Sequence, residues 1–217
     1  MTVNYFGIYG ASGFGREVMP LAREMLRGKP GFEAHELVFI DDNLTNHILN
    51  GHRVLTYEQF LGLSNASKRI SIAISDSKVR KKISDRCEAD SIELFNITAN
   101  NAMILDSNEI GPGSIFCGFS TLTSNSKVGR CFQANIYSYI AHDCVVGDFV
   151  TLAPGCKVNG NVVLEDESYI GTGAIIKQGI PGHPLVIGKG AIVGMGAVVT
   201  KSVRPGLTVV GNPARPM

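Results

Sequence analysis

Residues 122–164 read LTSNSKVGRCFQANIYSYIAHDCVVGDFVTLAPGCKVNGNVVL, and an apolar residue recurs at every sixth position. The same frame extends in both directions beyond this stretch. It gives thirteen consecutive apolar positions: Ile104, Ile110, Phe116, Leu122, Val128, Ala134, Ile140, Val146, Leu152, Val158, Leu164, Ile170 and Ile176. A repeat this short cannot bury a hydrophobic face alone, so neighbouring repeats must stack. The period predicts a three-sided prism of parallel strands, with three hexads in each coil.

Small side chains usually follow four positions after these residues, as at Ser126, Ser138, Cys144 and Cys156. We expect them to turn inward near the corners, where there is no room for bulk. The frame resumes at Ile187 instead of at Gly182, so residues 178–186 hold an insertion. This segment contains Pro181-Gly182-His183-Pro184, which predicts a loop extruded at a corner.

The first part of the chain has a different pattern, in which strands and helices alternate. Residues 1–96 predict a small α/β domain with a parallel sheet of Rossmann type. Residues 97–217 predict the all-β coil. The predicted elements of the first domain are strands over 3–9, 37–40, 69–74 and 91–95 and helices over 16–27, 57–63 and 77–87.

Composition excludes several classes of partner. The chain has 217 residues, and 20 Lys+Arg against 19 Asp+Glu leave no basic stripe for nucleic acid and no polybasic membrane anchor. No apolar run reaches membrane-spanning length, and the N-terminus lacks a basic signal-peptide region. Five cysteines without a C-x-x-C pair favour reduced thiols. We therefore expect a cytoplasmic protein with no membrane insertion.

Six motifs carry a resemblance to a known family. They are IYGASGFGREV at 8–18, FIDD at 39–42, AISDSKVRKKI at 73–83, NIYSYIAHDCVVGDF at 135–149, VVTKSV at 198–203 and VVGNPARP at 209–216. Together they resemble bacterial sugar O-/N-acetyltransferases of the hexapeptide-repeat class. That family includes the sialic-acid O-acetyltransferases and the N-acetyltransferases of nucleotide-linked 4-amino sugars.

The resemblance implies a left-handed parallel β-helix, assembled as a homotrimer with active sites between subunits. It further implies acetyl-CoA as co-substrate and a nucleotide-linked 4-amino-4,6-dideoxy sugar as acceptor, for surface polysaccharide or glycan biosynthesis. The alternative is O-acetylation of a sugar hydroxyl, such as that of sialic acid. The sequence does not separate these two reactions.

His142 is the candidate general base. It is the only histidine on the regular coils, and it follows Ile140 by two positions, on the outward part of its hexad. Histidine is the one side chain whose ordinary pKa lies near neutrality, which suits it to accept a proton from a nucleophile. Asp143 could hold the imidazole tautomer. The alternatives are a surface histidine without a role and a solvated corner aspartate.

Two further residues belong to the expected reacting centre. Asn135 matches an asparagine that lies near the reacting centre in similar enzymes, although a corner asparagine with left-handed backbone is equally compatible. Gly160 follows His142 by three hexads, which make one coil, and should stack on it. Its backbone N–H could bind the thioester oxygen as it becomes an oxyanion, while a tight corner is the alternative explanation.

The late coils and the first domain supply the expected binding residues. By resemblance, Gly173, Ala174 and Gly194 line the groove that holds pantetheine, and Lys201 meets the phosphates of coenzyme A. The loop with Gly10, Ser12 and Gly13 follows a strand and opens a helix, a geometry that suits a phosphate. The family uses this region for the nucleotide sugar, and Asp41 and Asp42 match an acidic pair that contacts it. Two departures from the family are Phe14, where many relatives carry His, and Ser75-Asp76, which replaces Gly-Asn.

Two other functions compete with acetyl transfer. A zinc-dependent lyase on the same prism needs about three converging histidines. Only His142 lies on the coils and His183 on the insertion, so we expect no metal. A sugar-nucleotide sensor or scaffold without activity would not need the adjacent His142 and Asp143.

Overall fold

The chain folds into two compact units, Met1–Asn100 and Asn101–Met217. The computed structural model describes residues 3–27, 35–43, 45–64 and 66–217.

The first unit alternates strands with helices, as the pattern predicts. Its helices are α1 (Gly13–Arg27), α2 (Tyr57–Leu61) and α3 (Ser77–Ala89). Its strands are β1 (Val3–Tyr9), β2 (His35–Ile40), β3 (Ile48–Leu49), β4 (His52–Leu55), β5 (Ala66–Ile72), β6 (Glu93–Leu94) and β7 (Ile97–Thr98).

Strands β1 to β6 form a sheet in the order β3-β4-β2-β1-β5-β6. All pairs in it are parallel except β3 with β4. Strand β1 lies between β2 and β5. The chain therefore adds β2 to β4 on one side of β1, and then β5 and β6 on the other side. In open α/β sheets this switch point opens a crevice at the carboxyl ends of the strands.

The sequence prediction missed the β3–β4 hairpin. Its turn is Asn50-Gly51, and both residues have positive φ, at 49° and 79°. Asn-Gly between two short apolar segments is a strong hairpin signal, because both residues adopt this left-handed backbone at low cost. The signal was therefore present in the sequence.

The second unit contains short strands separated by corners. They are β8 (Met103–Ile104), β9 (Glu109–Ile110), β10 (Ile115–Phe116), β11 (Thr121–Leu122), β12 (Lys127–Val128), β13 (Gln133–Ala134), β14 (Tyr139–Ile140), β15 (Val145–Val146), β16 (Thr151–Leu152), β17 (Lys157–Val158), β18 (Val162–Leu164), β19 (Tyr169–Ile170), β20 (Ile175–Ile176), β21 (Leu185–Ile187), β22 (Ile192–Val193), β23 (Val198–Val199), β24 (Thr208–Val210) and β25 (Arg215–Pro216).

The strands build three faces, which confirms the predicted prism. Face 1 has the order β25-β24-β22-β19-β16-β13-β10, face 2 has β23-β20-β17-β14-β11-β8, and face 3 has β21-β18-β15-β12-β9. Ile140 pairs with Val158, and Leu152 pairs with Ile170, so successive coils stack at a spacing of three hexads. All pairings are parallel except that of β25, which returns antiparallel to β24.

The periodic aliphatic side chains fill the prism, and the small residues after them are buried at the corners. Leu122, Ile140, Val158 and Ile176 are at most 1% exposed, as are the corner residues Ser126, Ser138, Cys144 and Cys156. The insertion behaves as predicted. Leu164 pairs with Ile187, so the frame resumes after an extra loop closed by backbone bonds between Ile180 and His183.

Candidate active site

His142 lies on the outside of the coil, at the corner between face 2 and face 3. Strand β14 ends with Ile140, which points into the core and is 1% exposed. The chain then turns, so the His142 side chain points outward and is 60% exposed. Asp143 makes the turn possible by adopting left-handed backbone, with φ at 57°. Aspartate tolerates this conformation better than most residues.

The two side chains of this corner are hydrogen-bonded. His142 Nδ1 lies 2.7 Å from Asp143 Oδ2. An ionised carboxylate only accepts, so the bond assigns the proton to Nδ1. Nε2 is then the acceptor nitrogen. The pair is exposed, so its contribution to stability is small and its effect is to orient the ring.

Gly160 supports the imidazole from the next coil. A Cβ atom at this position would lie 2.6 Å from His142 Cε1 and 2.7 Å from Nε2. The ring covers Gly160, which is buried, and Asn161 N donates to His142 O at 3.1 Å. The spacing of one full coil therefore brought these two residues together. Gly160 N–H has no hydrogen-bond acceptor among the residues that the structure describes.

Hydrogen bonds beneath the surface fix this corner. Cys144 Sγ donates to Asn159 O at 3.3 Å, and Cys144 N donates to Ser126 Oγ at 3.1 Å. Burial raises the pKa of the Cys144 thiol to about 11, so it stays protonated and serves as a core residue. All five cysteines lie in the described residues, are buried and form no disulfide.

Sequence reasoning missed Tyr139 and Asn159. The Tyr139 hydroxyl donates to Asn159 Oδ1 at 2.7 Å, and Asn159 Nδ2 donates to Ile176 O at 2.7 Å. Asn159 directly precedes Gly160, so these bonds hold the peptide that carries the Gly160 N–H. The coil arithmetic could have found the pair, because Asn159 stacks one coil above the residue two after Tyr139.

Asn135 lies at a different corner, between face 1 and face 2. Its Nδ2 donates to Leu152 O of the next coil at 2.9 Å. Within one chain the structure therefore does not bring Asn135 to the corner of His142. Gly173 and Gly194 share the corner of Asn135, on later coils. Gly173 is exposed with φ at 68°, while a Cβ at Gly194 would lie 2.7 Å from Val210 Cγ1.

The structure corrects the expectation for Ala174. Its side chain is fully buried in the prism. Its N–H donates to Gly171 O, and its carbonyl accepts from Lys157 N. Ala174 therefore packs in the core and offers no surface to a cofactor. Lys201 is exposed and lies at the corner between face 2 and face 3, three coils beyond His142.

A separate cavity of about 640 Å³ opens in the first unit, at the carboxyl ends of β1, β2 and β5. Gly10 directly follows β1 with φ at 104°, and its N–H donates to Ile40 O at 2.8 Å. A side chain at Gly15 would collide with the carbonyl of Gly10, so the first turn of α1 passes close to this loop. The cavity lining is Tyr9, Gly10, Ser12, Asp41, Asp42, Asn43, Ile74, Val79, Lys82, Ile83 and Arg86.

The acidic pair lies in this cavity, but protein donors already engage both carboxylates. Asp41 accepts from Ala11 N at 3.1 Å and from Asn43 N at 3.0 Å. Asp42 accepts from the Tyr9 hydroxyl at 2.6 Å and from Tyr57 N at 2.8 Å. Burial and the bond to Asp42 raise the pKa of Tyr9, so its hydroxyl remains a donor.

The cavity also holds cations that the motifs did not single out. Lys82 and Arg86 reach it from α3, and Arg86 Nη1 lies 3.8 Å from Asp42 Oδ2. Helical spacing places residues 79, 82, 83 and 86 on one face, which could have predicted this. Ser12 lines the cavity. Gly13 is exposed and lies outside the cavity lining, in the part of the chain that the structure describes.

Two kinds of feature are absent from the described residues. None of their helices combines the length and apolar character needed to cross a bilayer. No three His, Cys, Asp or Glu side chains within the described ranges converge as ligands for a metal ion.

Both the first unit and the chain as a whole resemble known proteins. The family described as PglD N-terminal domain matches residues 6–87. The GDP-perosamine N-acetyltransferase of Escherichia coli O157:H7 is 47% identical over 215 residues, which cover 99% of this chain and 97% of the relative.

Two solved structures superpose along the whole chain. WeeI from Acinetobacter baumannii AYE is 55% identical with a TM-score of 0.94, covering 99% of this chain and 100% of the other. The acetyltransferase domain of PglB from Neisseria gonorrhoeae FA1090, solved with acetyl coenzyme A, is 30% identical with a TM-score of 0.88 at the same coverage.

A Rossmann-like domain followed by a left-handed parallel β-helix defines a hexapeptide-repeat acetyltransferase, and the predicted fold is confirmed. Within this class, the chain belongs to the family of nucleotide-amino-sugar N-acetyltransferases, which confirms the resemblance that the motifs carry.

Proposed function

We propose that this enzyme transfers the acetyl group of acetyl-CoA to the 4-amino group of GDP-perosamine or a closely similar GDP-linked 4-amino-4,6-dideoxy sugar. One observation carries the proposal. The hydrogen-bonded His142 and Asp143 rest on Gly160 in a chain that is 47% identical, along its length, to a GDP-perosamine N-acetyltransferase.

The chemistry assigns a role to each group of this corner. His142 Nε2 accepts the proton that the sugar ammonium must lose, while Asp143 holds Nδ1–H and stabilises the imidazolium. The amine attacks the thioester carbonyl, and a C–N bond forms. The N–H of Gly160 stabilises the oxyanion. The C–S bond then breaks, and coenzyme A leaves as a thiol after it takes up a proton. No cysteine is needed as a nucleophile.

We propose a homotrimer in which the corner of Asn135 on one protomer faces the His142 corner of another. Exposed apolar side chains along this corner support the idea. Phe119 and Tyr137 stack in parallel at 4.9 Å between ring centroids and are 55% and 60% exposed. Met195 is 81% exposed at the same corner. Apolar surface of this kind marks interaction sites.

The groove that this arrangement creates would hold acetyl-CoA. Gly173 and Gly194 leave room for pantetheine along the corner, and Asn135 lies near the acetyl group. Lys201 meets phosphate at the far end of the edge that carries His142. The chemistry needs no metal.

The nucleotide sugar would bind in the cavity of the first unit. The N-terminus of α1 with Ser12 and Gly13, together with Lys82 and Arg86, provides positive charge and N–H donors for phosphates. Gly10, Asp41 and Asp42 shape the wall of the site. The carboxylates keep further lone pairs for ligand hydroxyl or amino groups. The reaction would serve surface polysaccharide synthesis in the cytoplasm, where activated sugars and acetyl-CoA are available.

The test measures the release of coenzyme A thiol from acetyl-CoA in the presence of each acceptor of a panel. The panel contains GDP-, dTDP- and UDP-linked 4-amino sugars and sialic acid. We expect the highest kcat/KM with GDP-perosamine. Turnover only with hydroxyl acceptors would refute N-acetylation, and a preference for UDP or dTDP sugars would refute the assigned nucleotide.

The role of the base is tested by substitution. His142→Ala should lower kcat by about 10²–10⁴-fold, because proton removal then depends on water. His183→Ala is the matched control, since His183 is an exposed histidine on the insertion. Equal rates for the two variants would remove His142 from the mechanism.

A further inference from the structure

Arg80, on helix α3, is a charged residue with a fully buried side chain. Among the residues that the structure describes, no other lysine, arginine, aspartate or glutamate is buried to this extent. Arg80 belongs to the motif AISDSKVRKKI, but it does not line the cavity of the first unit. A buried guanidinium is costly unless hydrogen bonds compensate for the lost water, so its contacts indicate what it does.

Three successive backbone carbonyls accept hydrogen bonds from this one residue. Arg80 Nη1 donates to Ile74 O at 2.7 Å and to Ser75 O at 3.1 Å. The backbone N–H of Arg80 donates to Asp76 O at 2.9 Å. Residues 73–76 form the loop between β5 and α3, where the chain has left the sheet and its carbonyls need donors from elsewhere. Arg80 therefore fixes the backbone of the β5–α3 loop from inside the unit.

The β5–α3 loop also contacts the glycine loop that follows β1. A Cβ atom at Gly10 would lie 2.9 Å from Ala73 O and 2.9 Å from Ile74 Cγ1. Ala73 N donates to Tyr9 O at 2.8 Å, which joins the two loops at the ends of their strands. Gly10 and Ile74 both line the cavity. Because closely packed groups transmit displacements, a shift of the β5–α3 loop would change the shape of the cavity.

We propose that Arg80 is a positioning residue for the nucleotide sugar. It holds the β5–α3 loop against Gly10 and thereby sets the width of the cavity, without touching the ligand. The inference rests on the proposed function, because it requires the nucleotide sugar to bind in this cavity. Lysine is a poor substitute at such a position, since it keeps the charge but lacks the planar set of five N–H donors.

The experiment measures GDP binding to the full-length enzyme by calorimetric titration. We expect Arg80→Lys to raise Kd for GDP by about tenfold, the lower end of the effect seen when a group that supports binding residues is lost. KM for GDP-perosamine should rise by a similar factor. KM for acetyl-CoA and kcat at saturating substrates should stay near their wild-type values, because the reacting corner belongs to the coil.

The control is Lys78→Gln, which removes an exposed cation from the same helix. Lys78 is outside the cavity lining, so this variant should keep the wild-type Kd for GDP. Arg80→Met removes the buried charge as well and should weaken GDP binding further than Arg80→Lys does. If Arg80→Met does not fold, Arg80→Lys decides the question by itself.

Wild-type affinity for GDP in a folded Arg80→Lys enzyme would overturn the positioning role and leave the proposed acetyl transfer intact. An equal rise of KM for both substrates would also overturn it, since Arg80 would then support the fold in general. The same loss of affinity in Lys78→Gln would reduce the effect to net charge and would count against it too. A wild-type enzyme that binds no GDP would instead refute the proposed nucleotide site.

Discussion

Asp143 contributes to the candidate site through both its backbone and its side chain. The backbone is left-handed, and the carboxylate accepts from His142 Nδ1. Asp143→Asn separates the two contributions, because asparagine adopts the same backbone but carries no charge. We expect kcat to fall by about tenfold or more with KM for acetyl-CoA and the melting temperature nearly unchanged.

Asp143→Ala is the companion variant. It should lower kcat as well, and it should lower the free energy of unfolding by about 1–2 kcal/mol, because alanine is strained in this backbone region. Steady-state kinetics and thermal unfolding measure the two effects. If Asp143→Asn retained the wild-type kcat, Asp143 would be a corner residue only.

A substitution at Gly160 tests whether the position of the His142 ring matters for catalysis. Its φ is not in the left-handed region, so Gly160→Ala adds a methyl group without backbone strain. That group would lie 2.6 Å from His142 Cε1 and must displace the exposed ring. We expect kcat to fall at least about tenfold, since small misplacements of a catalytic group are costly.

Gly62→Ala is the matched control for this variant. A Cβ at Gly62 would lie at an ordinary 3.5 Å from Glu58 O, and φ there is −69°. It should leave kcat unchanged. A Gly160→Ala enzyme with normal kcat would show that the ring position seen here is not the reactive one.

At the scale of elements, each strand from β10 to β24 contributes one or two buried side chains, and stability depends on their stacking. Leu152 in β16 is fully buried and pairs with Ala134 below and Ile170 above. Leu152→Ala should lower the free energy of unfolding by about 2–5 kcal/mol, because it leaves a cavity that neighbouring coils cannot close.

Val145 in β15 is the control for that variant, because its side chain points outward and is 47% exposed. Val145→Ala should cost much less in the same denaturant titration. Equal losses for the two variants would contradict the assignment of inward and outward positions along the hexad.

Two buried thiols in the coil should make the free energy of unfolding of the whole molecule depend on pH. Burial raises the pKa of Cys144 from 9.0 to about 11 and that of Cys156 from 9.0 to about 12. Between pH 9 and 11 the unfolded chain loses these protons while the folded chain keeps them. The thiol contribution to stability is therefore complete below pH 9 and is lost as pH rises, by about 1.4 kcal/mol per pH unit for each thiol.

Comparison with Cys156→Ala isolates this effect from other groups that titrate at alkaline pH. The free energy of unfolding of the variant should fall less steeply between pH 9 and 11 than that of the wild type, whatever their difference at pH 7. Parallel curves for the two proteins would contradict the linkage.

The proposed trimer is the prediction for the whole molecule. Light scattering of the purified enzyme should give a mass about three times that of a single chain. Tyr137→Lys should shift the mass towards the monomer, because it places charge on the exposed apolar corner. A wild-type monomer with full activity would refute the shared site.

The sequence by itself determined the prism, because a period of six with small residues at the corners leaves one way to bury the aliphatic positions. The same arithmetic stacked Gly160 on His142, and the strand–glycine–helix pattern located the cavity of the first unit. The same period puts Asn135 one corner before His142 and turns Ala174, four positions after Ile170, inward. Only the tertiary structure decided which side chains meet through hydrogen bonds. It showed that Tyr139 and Asn159 hold the peptide before Gly160, and that Arg80 holds the β5–α3 loop. Periodicity fixes which side of the coil a residue occupies, whereas hydrogen bonds and ion pairs depend on side chains that meet across coils.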